Sequence, residues 1–337
     1  METVSAIIPT WNRADLLKSI LANLAAQTVP PDQIIVVDNG STDATPLVTR
    51  QCSTDSVFHL VSFPENRGFA VAVNEGIARS TGDWILILNN DVILEPDWLE
   101  RLLRRAIEEN ASFAVGKLLR PGPLNEIDGS WDLVSRAAYA WRCGYGKRDG
   151  VVWSTPRRIG FAPMTAALFR RSVFEQIGVL ETRFESYYED VDFGVRCKLA
   201  GIEGIYEPSA VARHMSKTTL GKSSARVYFL TARNQVLILA KYYSAATLRR
   251  FAWPILAGQL LSLGAAARQR NFLAALRGKW AGLRQWSSFR YPSAPTKQNR
   301  KQVESAFSES ESEIHSLQRQ VGFDIYWRLY FSLVRSA

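Results

Sequence analysis

Over the first 119 residues, short apolar runs alternate with stretches whose apolar positions recur every three or four residues. Val4–Ile8 (VSAII), Gln33–Asp38 (QIIVVD), Val57–Ser62, Trp84–Asn89 (WILILN) and Phe113–Gly116 read as strands. Several of these are apolar at consecutive positions, as expected of strands buried on both faces. Between them the periodicity predicts helices over Arg13–Ala26, from about Thr42, over Gly68–Ser80 and over Pro96–Glu109. This alternation predicts an α/β fold, with a mostly parallel sheet covered by helices on both sides. Such sheets bind ligands at the carboxyl ends of their strands. There the polar residues Thr10, Asp38, Asn90 and Asp91 collect.

Beyond residue 119 the pattern weakens. Residues 120–160 are rich in Gly, Pro, Trp and charge, and read as an irregular excursion near the site. Met164–Phe169 and Gly204–Glu207 read as strands, and Glu189–Ala200 and Ser223–Tyr242 as helices. Residues 291–318 are polar and rich in Ser, Glu and Gln, the composition of a linker or an exposed helix. The tail Phe323–Val334 (FDIYWRLYFSLV) is strongly aromatic. It is suited to packing on the body, to pairing with a second copy in a homodimer, or to a lipid headgroup layer.

Charge changes the picture more than composition does. The net charge of +9 hides an asymmetry: residues 1–210 carry 21 Lys/Arg and 27 Asp/Glu, and residues 211–337 carry 20 and 5. No acidic residue lies between Glu207 and Glu304. The basic residues there alternate with apolar stretches such as Phe251–Gly264, the pattern of a segment lying on an anionic membrane surface. The stretch from Phe251 to Ala267 is broken by Pro254, Gly258 and Gln259, which favours lying in the interface over crossing it. No helix-turn-helix, zinc or RNA-binding signature is present, so nucleic acid is not the expected partner. Cys52, Cys143 and Cys197 are too few and too scattered for a disulfide framework or a zinc site. The opening METVSAIIPTWNR has no basic leader followed by an apolar run. The expected location is therefore cytoplasmic, at the inner face of the cell membrane.

Three places carry candidate chemistry. Asn89-Asn90-Asp91 ends an apolar strand. A carboxylate there either caps the turn before Pro96 or binds a divalent cation that neutralises a diphosphate. Tyr188-Glu189-Asp190-Val191-Asp192 puts three carboxylates at a helix start, where first-turn acids favour the helix dipole and one can serve as general base. His214, one of three histidines, reads alone as a satisfied histidine, but Asp, His and phosphate oxygens together suit Mn²⁺.

In order along the chain stand Ala6-Ile7-Ile8-Pro9-Thr10-Trp11-Asn12-Arg13, Val36-Val37-Asp38-Asn39-Gly40-Ser41 and Glu65-Asn66-Arg67-Gly68-Phe69-Ala70. Asn74-Glu75-Gly76, Leu88-Asn89-Asn90-Asp91, Glu189-Asp190-Val191-Asp192, His214 and Arg233-Asn234 follow. This series resembles the family 2 glycosyltransferases of the GT-A fold, in particular the bacterial rhamnosyltransferase-like branch, from about Val4 to about Leu239.

The resemblance implies a catalytic domain over residues 1–245, with a nucleotide-binding half (1–118) and an acceptor and metal half (119–245). A basic amphipathic helical region (246–337) would follow. It implies nucleotide-sugar contacts from Thr10, Asn12, Arg13, Asp38, Asn39, Arg67, Gly68, Asn74, Asn89 and Asn90. Asp38 would accept from the ring N–H of uracil or thymine, and Asn74 would help to shape the ribose-phosphate pocket. Asp91 and His214 would ligate Mn²⁺ or Mg²⁺. Asp190 would be the catalytic base, with Glu189 and Asp192 orienting the acceptor or holding the helix start. Asn89 stands where the family's Asp-x-Asp motif has its first Asp, which removes one charge and implies a cation bound weakly until the donor's diphosphate completes its shell.

The implied activity is inverting transfer of a sugar from a dTDP- or UDP-linked donor to a saccharide or lipid-linked saccharide acceptor. Rhamnose from dTDP-rhamnose leads, with UDP-linked hexoses and galactofuranose behind. The competing readings are a non-catalytic sugar-nucleotide-binding protein and a nucleotidyltransferase. The second lacks a phosphate-cradling loop at Pro9-Thr10-Trp11-Asn12.

Overall fold

The computed structural model describes residues 2–52, 57–215, 224–290 and 297–334. It divides into two compact units, one of residues 1–131 with 142–217 and the other of 132–141 with 218–337. In this division the long helix that follows residue 224 groups with the C-terminal helices.

The strands of the larger unit are β1 (Val4–Thr10), β2 (Gln33–Asp38), β3 (Phe58–Ser62), β4 (Trp84–Leu88), β5 (Val92–Leu94), β6 (Phe113–Leu119) and β7 (Ile127–Gly129). After the hairpin β8 (Asp132–Val134) and β9 (Ala140–Arg142) come β10 (Arg157–Ile159), β11 (Ala166–Arg170) and β12 (Gly204–His214). The large sheet runs β10-β12-β6-β11-β4-β1-β2-β3, with β5 paired to β12 and β7 to β6. Its β1, β2, β3 and β4 pairings are parallel, as is β12 with β6, whereas β11 runs antiparallel to both β4 and β6. The helices here are α1 (Ala14–Ala25), α2 (Thr45–Cys52), α3 (Phe69–Arg79), α4 (Trp98–Glu108), α5 (Arg171–Ile177) and α6 (Glu189–Leu199).

The apolar runs end where expected because they are the core. All five residues of β4 are buried, as are Val4, Ala6, Ile7 and Ile8 of β1. On one side of the sheet, Leu17, Ile20 and Leu24 of α1 and Trp98, Leu99 and Leu102 of α4 pack on this surface. Truncating such a fully buried leucine to Ala costs about 2–5 kcal/mol.

Strand β12 is longer than its sequence suggests. The pattern stops at Glu207 because Pro208 follows, but a register shift between Glu207 and Val211 absorbs the proline and the strand resumes to His214. His214 is therefore the last residue of a sheet strand and not part of a loop beyond one.

The smaller unit holds β8, α7 (Ala225–Tyr242), α8 (Ala245–Arg250), α9 (Ala252–Arg268), α10 (Phe272–Arg284), α11 (Trp286–Phe289), α12 (Lys297–Val321) and α13 (Ile325–Leu333). Of the two readings of residues 291–318, a linker or an exposed helix, the helix holds from Lys297, as the 25-residue α12, but it is not wholly exposed; residues 291–296 lie outside the described residues. One face of α12 is buried through Phe307, Ile314 and Leu317, and its polar residues on that face are paired. Ser310 accepts from Val134 N, and Glu311 takes Arg136 N, Nε and Nη2. The aromatic tail packs on its own unit: Tyr326 stacks on Tyr139, with centroids 3.8 Å apart, and Tyr330 donates to Glu311. Cys143 and Cys197 are buried thiols, and the side chain of Cys52 lies outside the described residues. Among the described residues no helix is long and apolar enough to cross a membrane.

Candidate active site

The carboxyl ends of β1, β2 and β4 converge. Asn90 Nδ2 donates to Thr10 Oγ1 at 2.8 Å. Asp38 is buried, and its Oδ1 accepts from Ser41 N at 3.0 Å. Asn12, in the left-handed region (φ 51°), accepts from Thr42 N at 2.7 Å, while its own N–H donates to Ser41 Oγ at 2.9 Å. Arg13 N donates to Thr45 Oγ1 at 3.1 Å. These bonds tie the loop after β1 to the loop after β2, and so set the spacing of Thr10 and Asp38.

A second loop is pinned beside them. Asn39 Nδ2 donates to Asn66 Oδ1 and Gly68 O, and Asn39 Oδ1 accepts from Arg67 N at 2.8 Å. Asn39 is thus engaged in holding the Asn66-Arg67-Gly68 turn, and Arg67, exposed, lies over the Phe63 ring. Gly68 has φ 88°, and a Cβ there would stand 2.9 Å from the carbonyl oxygen of Glu185. Only glycine lets this turn approach the segment before α6 so closely. Asn74 holds that segment from the other side: it exchanges bonds with Leu180 O and Leu180 N at 2.8 and 2.9 Å. Its amide acts on the site through the loop, as a strut.

The register of β5 against β12 pairs Val92 with His214, and Met215 N donates to Asp91 O. Asp91 and His214 are thereby brought side by side, with Oδ1 of Asp91 3.2 Å from Nε2 of His214. The other ring nitrogen, Nδ1, lies 2.6 Å from Oδ2 of Asp128. Asp128 sits in β7, which pairs with β6 across a register irregularity. Burial alone would lower the His214 pKa, but Asp128 and Asp91 outweigh it and raise it to about 9.

The pair Asp91–His214 suits a divalent cation by the chemistry of its donors, one carboxylate oxygen and one imidazole nitrogen whose second nitrogen is fixed by a buried carboxylate. The 3.2 Å spacing is close to the edge of an octahedron with metal–ligand distances of ~2.1–2.2 Å. Among the described residues no group of three or more His, Cys, Asp or Glu could hold a metal ion. A cation bound here would take Asp91 and His214 as its ligands from the described residues and complete its shell with other donors.

The acidic cluster opens α6. The approach is strained: Glu185, Tyr187 and Tyr188 all have positive φ, at 64°, 66° and 71°. Glu189 is buried, its Oε2 has no hydrogen-bond partner among the described residues, and burial together with Asp190 raises its pKa to about 8. Asp190, less buried, accepts from Val191 N at 2.8 Å. Burial raises its pKa too, and the Arg142 guanidinium opposes that rise. Asp192 is fully buried and paired with Arg196 at 3.1 Å, while Arg196 Nη1 and Nη2 reach the carbonyls of Ile177 and Val179. Asp192 is therefore engaged in holding the helix start, which leaves Glu189 and Asp190 as the candidate pair. With two adjacent acids of raised pKa, protonation of one favours ionisation of the other.

Two residues in this site were absent from the sequence reading. Asp128 and Arg142 lie in the segment without periodicity, and Arg142 Nη1 is 3.9 Å from Asp128 while its charge acts on Glu189 and Asp190. A Cβ on Gly129 would stand 2.6 Å from Arg142 Cδ, so the glycine after Asp128 makes room for that side chain. The sequence signal available was the juxtaposition Asp128-Gly129 itself, an acid followed by a glycine in a Trp-rich stretch. The Arg233–Asn234 pair lies in the smaller unit, buried, with Arg233 Nε donating to Asn234 Oδ1.

Two solved structures share the fold. A structure of GalNAc-T7 with UDP, GalNAc and Mn²⁺ aligns with a TM-score of 0.64 at 12% identity, over 96% of this chain and 58% of the other. A mannosyltransferase from Pyrobaculum calidifontis in complex with GDP-Man and Mn²⁺ aligns at 0.53 and 19% identity, over 98% and 86%. By sequence, the chain is 27% identical over 272 residues to the N-acetylglucosaminyl-diphospho-decaprenol L-rhamnosyltransferase of Mycobacterium tuberculosis, covering 72% of this chain and 86% of that protein. It is 28% identical over 229 residues to the pre-mycofactocin glycosyltransferase of the same organism, covering 67% and 45%. The family model described as glycosyl transferase family 2 matches residues 5–178, just over half of the chain. Together with the sheet, whose fold is that of the GT-A glycosyltransferases, this match places the protein: it belongs to glycosyl transferase family 2.

Proposed function

We propose that the protein transfers rhamnose from dTDP-rhamnose to a lipid-linked saccharide with inversion at the anomeric carbon, in cell-surface polysaccharide synthesis. The observation that carries this reading is the Asp91–His214–Asp128 chain set in the same unit as the Glu189–Asp190 pair. The sugar and acceptor follow from similarity to the mycobacterial rhamnosyltransferase.

In this reading Asp38 and Thr10 take the nucleotide base, and Arg13 and Arg67 reach the donor phosphates. Asp91 and His214 would hold Mn²⁺ or Mg²⁺, which when bound neutralises charge on a leaving diphosphate. Asp190 removes the proton from an acceptor hydroxyl as that oxygen attacks the anomeric carbon from the face opposite the diphosphate. One C–O bond forms, the bond to the diphosphate breaks, and the configuration inverts. Glu189, kept neutral by burial, leaves the single negative charge on Asp190, and Arg142 favours that ionised form.

The acceptor end of the proposal rests on the smaller unit. Of the eighteen large apolar side chains exposed among the described residues, eleven lie on α9, α10 and α13. Ten of them fall at helical spacing: Trp253, Leu256 and Leu260 on α9, Phe272, Leu276, Trp280 and Leu283 on α10, and Ile325, Leu329 and Leu333 on α13. With no carboxylate on α7 to α11 and arginines beside these stripes, the unit is suited to an anionic membrane surface, on the cytoplasmic side.

The test is transfer of label from a panel of dTDP-, UDP- and GDP-linked sugars to a lipid-linked N-acetylglucosamine acceptor. Transfer from dTDP-rhamnose above the others supports the proposal. Transfer from another donor only, or donor hydrolysis without transfer, removes the assignment. Co-sedimentation with anionic vesicles at low salt and release at high salt checks the membrane surface, and indifference to lipid charge would remove it.

A further inference from the structure

Inside the smaller unit lies a cavity of about 560 Å³, within the 300–1,000 Å³ common for small-molecule sites. Its wall is mostly apolar: Leu261, Ala265 and Ala266 of α9, Ala275 of α10, Leu329 of α13 and the stacked rings of Tyr139 and Tyr326. Ile325 and Leu329, which line it, are also among the exposed apolar residues, so the cavity opens on the apolar outer face.

Its polar lining is hydroxyls and amides (Tyr228, Thr231, Ser262, Gln235, Gln269) and one cation, Arg268, with no carboxylate among them. Arg268, exposed at the C-terminal end of α9, lines the cavity and forms no ion pair among the described residues. Gln235, 2% exposed, gives its Oε1 to Lys279 Nζ at 3.0 Å, while its Nε2 has no acceptor among the described residues. Lys279 is itself mostly buried and is held only by the amide oxygens of Gln235 and Gln259, with no carboxylate partner among the described residues. Burial pulls its pKa down to about 7, as expected of an ammonium without a counter-ion. Asp324, at the start of α13, is engaged by Gln318.

An apolar slot with an unpaired guanidinium at its wall, a buried amide donor and a buried lysine behind that amide lacks one thing, a negative charge. We infer that this cavity binds one phosphate-headed hydrocarbon chain, with the chain among Leu261, Ala265, Tyr139, Tyr326 and Leu329 and the phosphate at Arg268. A purely apolar occupant would leave the buried Gln235 amide without a partner and make no use of the Arg268 charge, and free phosphate would leave the apolar wall in water. The inference goes beyond the transferase reading: it concerns a separate site, and it holds whichever sugar and acceptor the enzyme uses.

Isothermal titration of the full-length chain tests it with three probes below their aggregation concentrations: dodecyl phosphate, dodecyl maltoside and inorganic phosphate. Dodecyl phosphate should bind at one per chain, at least about ten-fold tighter than either other probe. Ala265→Trp fills the slot and should weaken that binding about ten-fold or more, with unchanged circular dichroism. Arg268→Gln, on the surface, should remove most of the preference for phosphate over maltoside and leave maltoside binding as it was. Equal binding of maltoside and dodecyl phosphate, tight binding of phosphate alone, or no effect of Arg268→Gln would overturn the assignment. Should Ala265→Trp fail to fold, the Arg268→Gln comparison decides alone.

Discussion

His214 and Asp128 stand 2.6 Å apart, although 86 residues separate them in the chain. One ends β12, the other lies in β7, and β6 runs between the two strands. The carboxylate holds the ring by Nδ1 and so aims Nε2 at Asp91. In sites of this kind the outer carboxylate fixes ring orientation and tautomer and raises the ligand's basicity.

Asp128→Asn keeps the shape of that contact and removes its charge. Transfer activity should fall about 10- to 100-fold, and half-saturating Mn²⁺ should rise. Steady-state assays across a Mn²⁺ series check this. Full activity at wild-type Mn²⁺ requirement would make Asp128 a packing residue.

Asp190→Asn should lower kcat by about 10²–10⁴ while leaving nucleotide diphosphate binding within about two-fold. Calorimetry and single-turnover transfer together make the comparison. Residual activity within about ten-fold of wild type, only ~1.4 kcal/mol in barrier, would assign the proton to another group.

Glu189 gives the protein a pH dependence of defined sign. Its folded pKa lies near 8, above its ordinary 4.5, so between these values the folded state keeps a proton that the unfolded chain has lost. The stability this lends is complete below about pH 4.5 and disappears as pH rises through about 8. Glu189→Gln should therefore raise the melting temperature relative to wild type more at pH 8.5 than at pH 5. Parallel melting curves for the two proteins across that range would deny the buried, protonated acid.

Glu311 is fully buried and carries three bonds from Arg136 and one from Tyr330. Glu311→Ala leaves the Arg136 guanidinium buried without its partner and should cost about 3–5 kcal/mol by urea unfolding. A loss under about 1 kcal/mol would mean that water reaches Arg136 freely.

The parts of this molecule that can be read from its sequence are those where one physical signal dominates. β1, β2 and β4 are apolar at consecutive positions because both faces are buried, and the residues just past them fall at the ligand edge for the same reason. α12 misleads because Ser310, Glu311 and Gln318 look solvated, yet their polar groups are met by Val134 N, Arg136, Tyr330 and Asp324. β12 hides its end because a bulge accommodates Pro208. Asp128 and Arg142 are invisible for a different reason. Their positions follow from short strands in a stretch with no periodicity, Asp128 from β7 at the large sheet and Arg142 from the β8–β9 hairpin.

The most direct test of the account is Mn²⁺ binding with and without nucleotide diphosphate, followed by electron paramagnetic resonance on the full-length protein. With only Asp91 and His214 as protein ligands, the free protein should bind Mn²⁺ weakly. dTDP or UDP should tighten binding at least about ten-fold, and Asp91→Asn should abolish that gain. Tight Mn²⁺ binding to the free protein, or a nucleotide effect that survives Asp91→Asn, would contradict a one-carboxylate site completed by the donor's phosphates.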